Sequence, residues 1–423
     1  MGNLSNITLK IHKYTRLCYT RLCILCIFTI FALVFNNRIR NNIMGKTEHN
    51  QSFVFGVSVS DYNFIGREDE IRQLRMNFEE GINTILISPR RWGKTSLVKR
   101  VCKEIDKERV VTVFIDIFKC KTEYEFYNAL TEAVLKQTAS KAELWMENAR
   151  DFIARLTPKI SVSPEPNSEF ALSLGISPKT HTPEEILQLV ETIAERKEKR
   201  IVVCIDEFQQ IGEMPDSVSI QKRLRSVWQH QKMVSYCLFG SKKHTMMNVF
   251  QKRNMPLYQF GDFKFLGKIP TEKWTGYIVS HFADRNRVIS EDLAARICAA
   301  VDNHSSYVQQ LSWLIFSLID EGESVEERHL AMGVGSLLNS QEQLFMQQIE
   351  PLTAYQMNFL RCIIDGNHDN FGEAEIRETY NLGSVSNITR LKTALVEKDL
   401  VEMNGRRLYI TDPVFAMWFK RNA

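Results

Sequence analysis

The chain has 423 residues, 44% of them hydrophobic and 25% charged, a balance that excludes fibrous and disordered classes and suits two or three globular domains. Its formal charge is +4, yet residues 1–43 carry six bases (Lys10, Lys13, Arg16, Arg21, Arg38, Arg40) and no acid, leaving −2 for the rest. Net charge therefore gives no argument for nucleic acid, and nine scattered cysteines give none for a disulfide framework or a zinc site.

Leu22 to Phe35 is an apolar run broken only by Thr29, with Arg21 before it and Arg38 and Arg40 after it. It lacks a small-residue cleavage site and is short of the about 20 residues a spanning helix needs. The favoured expectation is that the protein starts at Met44, that residues 1–43 are a mis-assigned leader, and that the protein is cytoplasmic. The alternative is a membrane anchor through residues 22–35.

Thr84 to Ile87 (TILI) reads as a short buried strand. Ser88-Pro89-Arg90-Arg91-Trp92-Gly93-Lys94-Thr95-Ser96 follows, and then a helical pattern. Strand, loop, Gly-Lys-Thr and helix together are the context of a P-loop. Main-chain N–H groups there cradle phosphate. Lys94 would charge-pair with the β- and γ-phosphates of ATP, Thr95 would offer a hydroxyl to Mg²⁺, and Gly93 would admit the phosphates closely. Ser88 stands where the pattern wants its first glycine.

Val110 to Asp116 (VVTVFID) supplies a further strand, with Asp116 read as structural. Ile160 to Ser177 alternates around Pro-Glu-Pro-Asn and reads as an inserted hairpin. Thr182-Pro183-Glu184-Glu185 opens a helix, with Thr as cap and Pro in the first turn. Ile201 to Ile205 is an apolar run ending in Asp206 and Glu207, at the strand end where open α/β sheets bind ligands. Asp206 would reach the Mg²⁺ shell and Glu207 would position the attacking water. Ser235 to Phe239 is another strand, and Ser241 beyond it is the sensor candidate.

Trp274 to Leu318 is helical throughout. Helices over Thr353–Ile364, Ala374–Tyr380 and Ser386–Glu397 precede a hairpin turning at Asn404-Gly405. Three helices and a hairpin spell a winged helix. Asn387, Arg390, Lys392, Arg406 and Arg407 are of types that contact bases and phosphates. Nine bases balanced by nine acids from Thr353 onward make a weak electrostatic footprint, so duplex DNA and a protein partner both stand open.

These motifs together resemble the archaeal-type ATPase family of the AAA+/STAND group of P-loop proteins, from about Phe53 to Lys420. Phe64-Ile65-Gly66-Arg67-Glu68-Asp69-Glu70-Ile71 is similar to the family's opening by the adenine. Ser88 to Leu97, Cys204 to Gln209, Leu238 to Ser241 and Asn303 to Ser305 are similar to its P-loop, Walker B, sensor strand and lid segment. The departures are Ser88, Ser305 in place of proline, and Gln259 in place of an arginine after Tyr258. Arg253 or Lys252 could then serve a neighbouring copy as a finger.

The expected fold is α/β: a three-layer P-loop core with a parallel sheet over 44–270, a helical lid over 271–342 and a winged helix over 343–423. The resemblance implies an Mg²⁺-dependent ATPase coupling nucleotide state to the winged helix, acting on DNA or through a protein, as a monomer or a homo-oligomer. The alternative is a STAND-like nucleotide switch with slow turnover and a protein partner. Nucleotide contacts are expected at Gly66, Arg67 and residues 88–96, with Lys94 and Glu207 carrying the chemistry.

Overall fold

The computed structural model describes residues 52–59, 61–138 and 182–422. The leader, the 22–35 run and the 160–177 hairpin lie outside them. In chain order the elements are α1 (Glu68–Glu80), β1 (Thr84–Ile87), α2 (Lys94–Glu104), β2 (Val110–Asp116), α3 (Glu123–Thr138), α4 (Pro183–Lys197), β3 (Arg200–Asp206), α5 (Gln209–Glu213), α6 (Ser217–Trp228), β4 (Val234–Gly240), α7 (Lys243–Phe250) and β5 (Asp262–Phe265). Then follow α8 (Thr271–Ala283), α9 (Glu291–Ala300), α10 (Ser305–Phe316), α11 (Glu327–Ile349), α12 (Ala354–Ile364), α13 (Ala374–Thr379), α14 (Val385–Glu397), β6 (Val401–Asn404), β7 (Arg407–Ile410) and α15 (Pro413–Asn422).

The five core strands form one parallel sheet in the order β2-β3-β4-β1-β5. Both faces are covered, so the strands read as near-continuous apolar runs. Strand parity decides which face each residue serves. Ile201, Val203 and Ile205 of β3 join one apolar cluster with α3, α4 and α6, whereas Val202 and Cys204 join another with Leu97, Val98 and Val101 of α2. Ile85 and Ile87 of β1 face the first cluster and Leu86 the second, and β4 divides likewise. The even-numbered residues of β3 thus look toward the helix that begins at Lys94.

Helix starts follow local chemistry. Thr182 caps α4 with a full capping box to Glu185, and Pro183 occupies its first turn. Thr353 does the same for α12 through Gln356, and Ser384 caps α14.

Helices α8 to α11 form the lid, and α12 to α15 with the β6–β7 hairpin form the winged helix. A single apolar cluster runs through both, from Trp274 and Tyr277 to Phe415, Trp418 and Phe419. The boundary expected at 342/343 falls inside α11, a 23-residue helix. The hairpin turn is corrected by its register. Asn404 pairs with Arg407, so the two turn residues are Gly405 and Arg406 rather than Asn404 and Gly405. Gly405 has φ 63°, the positive value that a II′-type turn requires at its first position. Among the described residues, no helix is long and apolar enough to cross a membrane.

Candidate nucleotide site

The loop between β1 and α2 turns on two left-handed residues, Arg91 (φ 63°) and Gly93 (φ 92°), either side of Trp92. Alternating backbone hands of this kind turn successive N–H groups toward one concavity, which suits an anion. A Cβ at Gly93 would meet nothing within 4 Å, so its positive φ rather than crowding is what favours glycine there. Ser88, in the place of a first glycine, is buried and donates from Oγ to the Pro89 carbonyl at 3.1 Å.

Lys94 is the first residue of α2 and only 6% exposed. Burial holds its pKa below the ordinary lysine value, while the nearby carboxylates of Asp206 and Glu207 oppose that. A desolvated cation at a helix N-terminus beside an open main-chain concavity fits a polyphosphate.

Asp206 is even-numbered and therefore faces α2. Its Oδ2 accepts from Thr95 Oγ1 at 2.7 Å, and its Oδ1 accepts from the Glu207 N–H at 2.9 Å. Burial raises its pKa above the usual carboxylate range, against the Thr95 hydrogen bond and the Lys94 charge. A hydroxyl and a carboxylate in contact form a hard-oxygen pair of the type that binds Mg²⁺. Thr95 and Asp206 are thus brought together as a donor set.

Glu207 does not continue the strand alternation of β3. It lies past β3 with φ 56°, and this left-handed turn, not the pleat, separates its side chain from that of Asp206. Its Oε2 accepts from Ser241 Oγ at 3.2 Å and from Gln209 Nε2. Ser241 sits immediately beyond β4, so the sensor candidate and Glu207 meet. Sequence reasoning missed Gln209 and Gly240. Gln209 is 1% exposed, and a Cβ on Gly240 would overlap its Oε1. Only the adjacency of the β3 and β4 ends reveals this. Asp116, read as structural, accepts from the Phe118 N–H at 2.9 Å and holds the turn after β2.

The N-terminal opening reaches the same loop. Gly66 (φ 62°) and Arg67 (φ 72°) are both left-handed. The 8%-exposed Arg67 donates to the Trp92 carbonyl at 3.3 Å and pairs with Glu70 at 3.0 Å. Ser96 Oγ accepts from the Val59 N–H at 3.1 Å. Lys268 lies over the Trp92 ring at 5.9 Å. From the lid, His304 and Tyr307 of the α10 start approach Arg90 and Arg91.

The residues proposed for nucleic acid fall elsewhere, on the winged helix, and three of the five are engaged within it. Asn387 Nδ2 donates to the Leu382 carbonyl at 2.9 Å. Lys392 stands over the Phe371 ring at 4.9 Å, and Arg407 pairs with Asp369 at 3.1 Å. Arg390 and Arg406 are exposed. Arg253 and Lys252 are also exposed, just after α7.

Residues 64–253 match the family described as an ATPase domain predominantly from Archaea. The fold is similar to that of the Walker-type ATPase paby2304 of Pyrococcus abyssi, with a TM-score of 0.64 and 17% identity, covering 88% of this chain and 100% of that one. It is also similar to the ORC2 protein of Aeropyrum pernix, solved as ADPNP-ADP complexes, with a TM-score of 0.51 and 13% identity over 85% of this chain and 96% of that one. No curated relative matches in sequence. The family match ends at 253, and the lid and winged helix rest on likeness of fold. The chain is a P-loop ATPase whose residues 64–253 are similar to the ATPase domain of this predominantly archaeal family.

Proposed function

We propose that the protein hydrolyses Mg²⁺-bound ATP and couples its nucleotide state to the winged helix. Lys94 and the N–H groups of residues 88–96 hold the phosphates, with Gly66 and Arg67 bracing the loop. Thr95 and Asp206 hold Mg²⁺, which supplies charge neutralisation at the β- and γ-phosphates when bound. Glu207 orients the attacking water and takes up its proton, and Ser241 and Gln209 set where that carboxylate stands. Free thiols at all six described cysteines suit a cytoplasmic protein.

The coupling reading is carried by one observation. The winged helix touches the start of α7, just beyond Ser241, and the lid helix α10. Its strand β6 meets Lys243, two residues beyond Ser241, through Glu402 at 3.7 Å and the Met403 carbonyl at 3.5 Å. Its Asp412 accepts from the Tyr307 hydroxyl of the lid at 2.6 Å. The test is steady-state ATP hydrolysis with and without Mg²⁺ and duplex DNA, beside Lys94→Ala and Glu207→Gln. Turnover that needs Mg²⁺ and vanishes in both variants supports the reading, and DNA stimulation would make the winged helix its DNA arm.

A second reading is a slow nucleotide switch acting on a protein. The even balance of nine bases and nine acids from Thr353 onward favours it, being a weak electrostatic footprint for DNA. Retained ADP with negligible turnover would select it.

A further inference from the structure

We propose that Cys102 and Cys204 are an oxidation site, at which an oxidant of the hydroperoxide class joins the two in a disulfide that ties α2 to β3 and lowers ATP turnover. The bond itself depends on nothing said of the nucleotide. Its effect on turnover rests on the reading that Lys94, Thr95 and Asp206 hold Mg²⁺-bound ATP.

The two residues are 102 positions apart in sequence, and their sulfurs are 3.8 Å apart in space. Cys102 lies on α2, the helix that begins with Lys94 and Thr95. Cys204 lies on β3, two residues before Asp206. The parity that turns Asp206 toward α2 turns Cys204 the same way. A third thiol, Cys237, is opposite Cys204 on β4 and joins the same apolar cluster. Cysteine serves as a small apolar residue in a core, and that accounts for Cys204 and Cys237, which are wholly buried. Cys102 differs from them. It is partly exposed, so a small oxidant reaches it from solvent, and it already touches a second sulfur. The hydrogen bond with Cys204 lowers its pKa against burial, whereas burial raises that of Cys204. The accessible member of the pair is thus also the one that yields a thiolate.

The chemistry balances with hydrogen peroxide as oxidant. The Cys102 thiolate attacks one peroxide oxygen and the O–O bond breaks. The departing hydroxide takes up the proton that Cys102 gave away and leaves as water, with Cys102 now a sulfenic acid. The Cys204 sulfur then attacks that of Cys102. An S–S bond forms, the S–O bond breaks, and the hydroxide leaves as a second water with the Cys204 proton. Two thiols are oxidised and one peroxide is reduced. A disulfide holds its sulfurs at about 2 Å, so the pair at 3.8 Å has to close by about 1.8 Å. That pull acts between the helix that carries Thr95 and the strand that carries Asp206, whose side chains meet at 2.7 Å. Misplacing such groups by about 1 Å costs about 10²-fold in rate.

The test treats the full chain with hydrogen peroxide, maps disulfides in unreduced peptides by mass spectrometry, and measures phosphate release before and after dithiothreitol. The wild type is expected to yield a peptide pair joined through Cys102 and Cys204, with turnover lowered about 10²-fold and restored by dithiothreitol. Cys102→Ser, a small change at a partly exposed position, should keep the turnover of the reduced protein and lose the response to peroxide. Cys204→Ala should lose the response as well. Absence of the Cys102–Cys204 peptide, a bond from Cys204 to Cys237 in its place, or an equal fall in turnover in Cys102→Ser overturns the oxidation site. A Cys102–Cys204 bond that leaves turnover unchanged overturns the control of turnover. Reduced Lys94→Ala separates this from the nucleotide reading. If it turns over ATP like the wild type, the P-loop reading fails, while the disulfide stands or falls on the peptide map.

Discussion

Ser241 Oγ donates to Glu207 Oε2 at 3.2 Å, across the ends of β4 and β3. With Gln209 Nε2 on the same oxygen, the carboxylate has a defined resting place. Glu207→Gln is expected to lower kcat by about 10²- to 10⁴-fold with nucleotide affinity kept. Ser241→Ala should cost less, about tenfold. Equal turnover in Glu207→Gln and wild type, measured by phosphate release, would remove Glu207 from the chemistry.

Thr95 and Asp206 touch, so they should fail together and only when metal is required. Asp206→Asn is expected to weaken Mg²⁺–nucleotide binding about 10- to 100-fold and to leave binding in EDTA unchanged. Titrating nucleotide in both buffers checks this. An equal loss in both would place Asp206 on the nucleotide rather than on the metal.

Gly240 leaves room for Gln209. Gly240→Ala should displace that side chain, lowering turnover several-fold and stability by about 1–3 kcal/mol, as overpacking in a closed core does. Urea denaturation beside phosphate release reads both. A Gly240→Ala protein with wild-type values for each would mean the pocket yields.

His304 gives a signed pH dependence. Burial, with Arg91 adding to it, lowers its pKa from 6.5 to about 4, against Asp412. The unfolded chain therefore takes up this proton first. The contribution is fully present above about pH 6.5 and is lost as pH falls toward 4. Between pH 7 and pH 5 the loss is about 2 kcal/mol. Replacing it in His304→Asn should flatten the urea-derived stability over that window relative to wild type, with other carboxylates common to both proteins. Parallel curves would show that His304 does not titrate there.

Much of the core was legible because a parallel sheet is written in apolar runs. The expected β1 and β2 coincide with the observed strands, and the position of Asp206 opposite α2 follows from parity. Strand β5 was not legible: Asp-Phe-Lys-Phe is four residues and half charged, and it forms because β1 offers an edge for it to pair with. Glu207 shows the limit of parity, since its left-handed turn cannot be read from a run of strand residues. Gln209 and Gly240 needed the third dimension, being 31 positions apart and joined only by strand adjacency. The turn pair slipped by one because Asn404-Gly405 and Gly405-Arg406 both satisfy a glycine-bearing hairpin, and only register separates them. On the winged helix, composition showed charged side chains, while their cation–π and ion-pair commitments depend on packing.

The apolar cluster common to lid and winged helix has a practical consequence for anyone cutting the chain. Phe345 of α11 rests against Phe415 and Trp418 of α15, with ring centroids 5.5 Å away in both cases. A fragment ending near residue 342 would strip those aromatics from each other and truncate α11 in mid-turn. The excised winged helix would in turn carry a bare greasy flank. The two pieces are levers on one fulcrum, and workable truncations should be sought before α8 rather than after it.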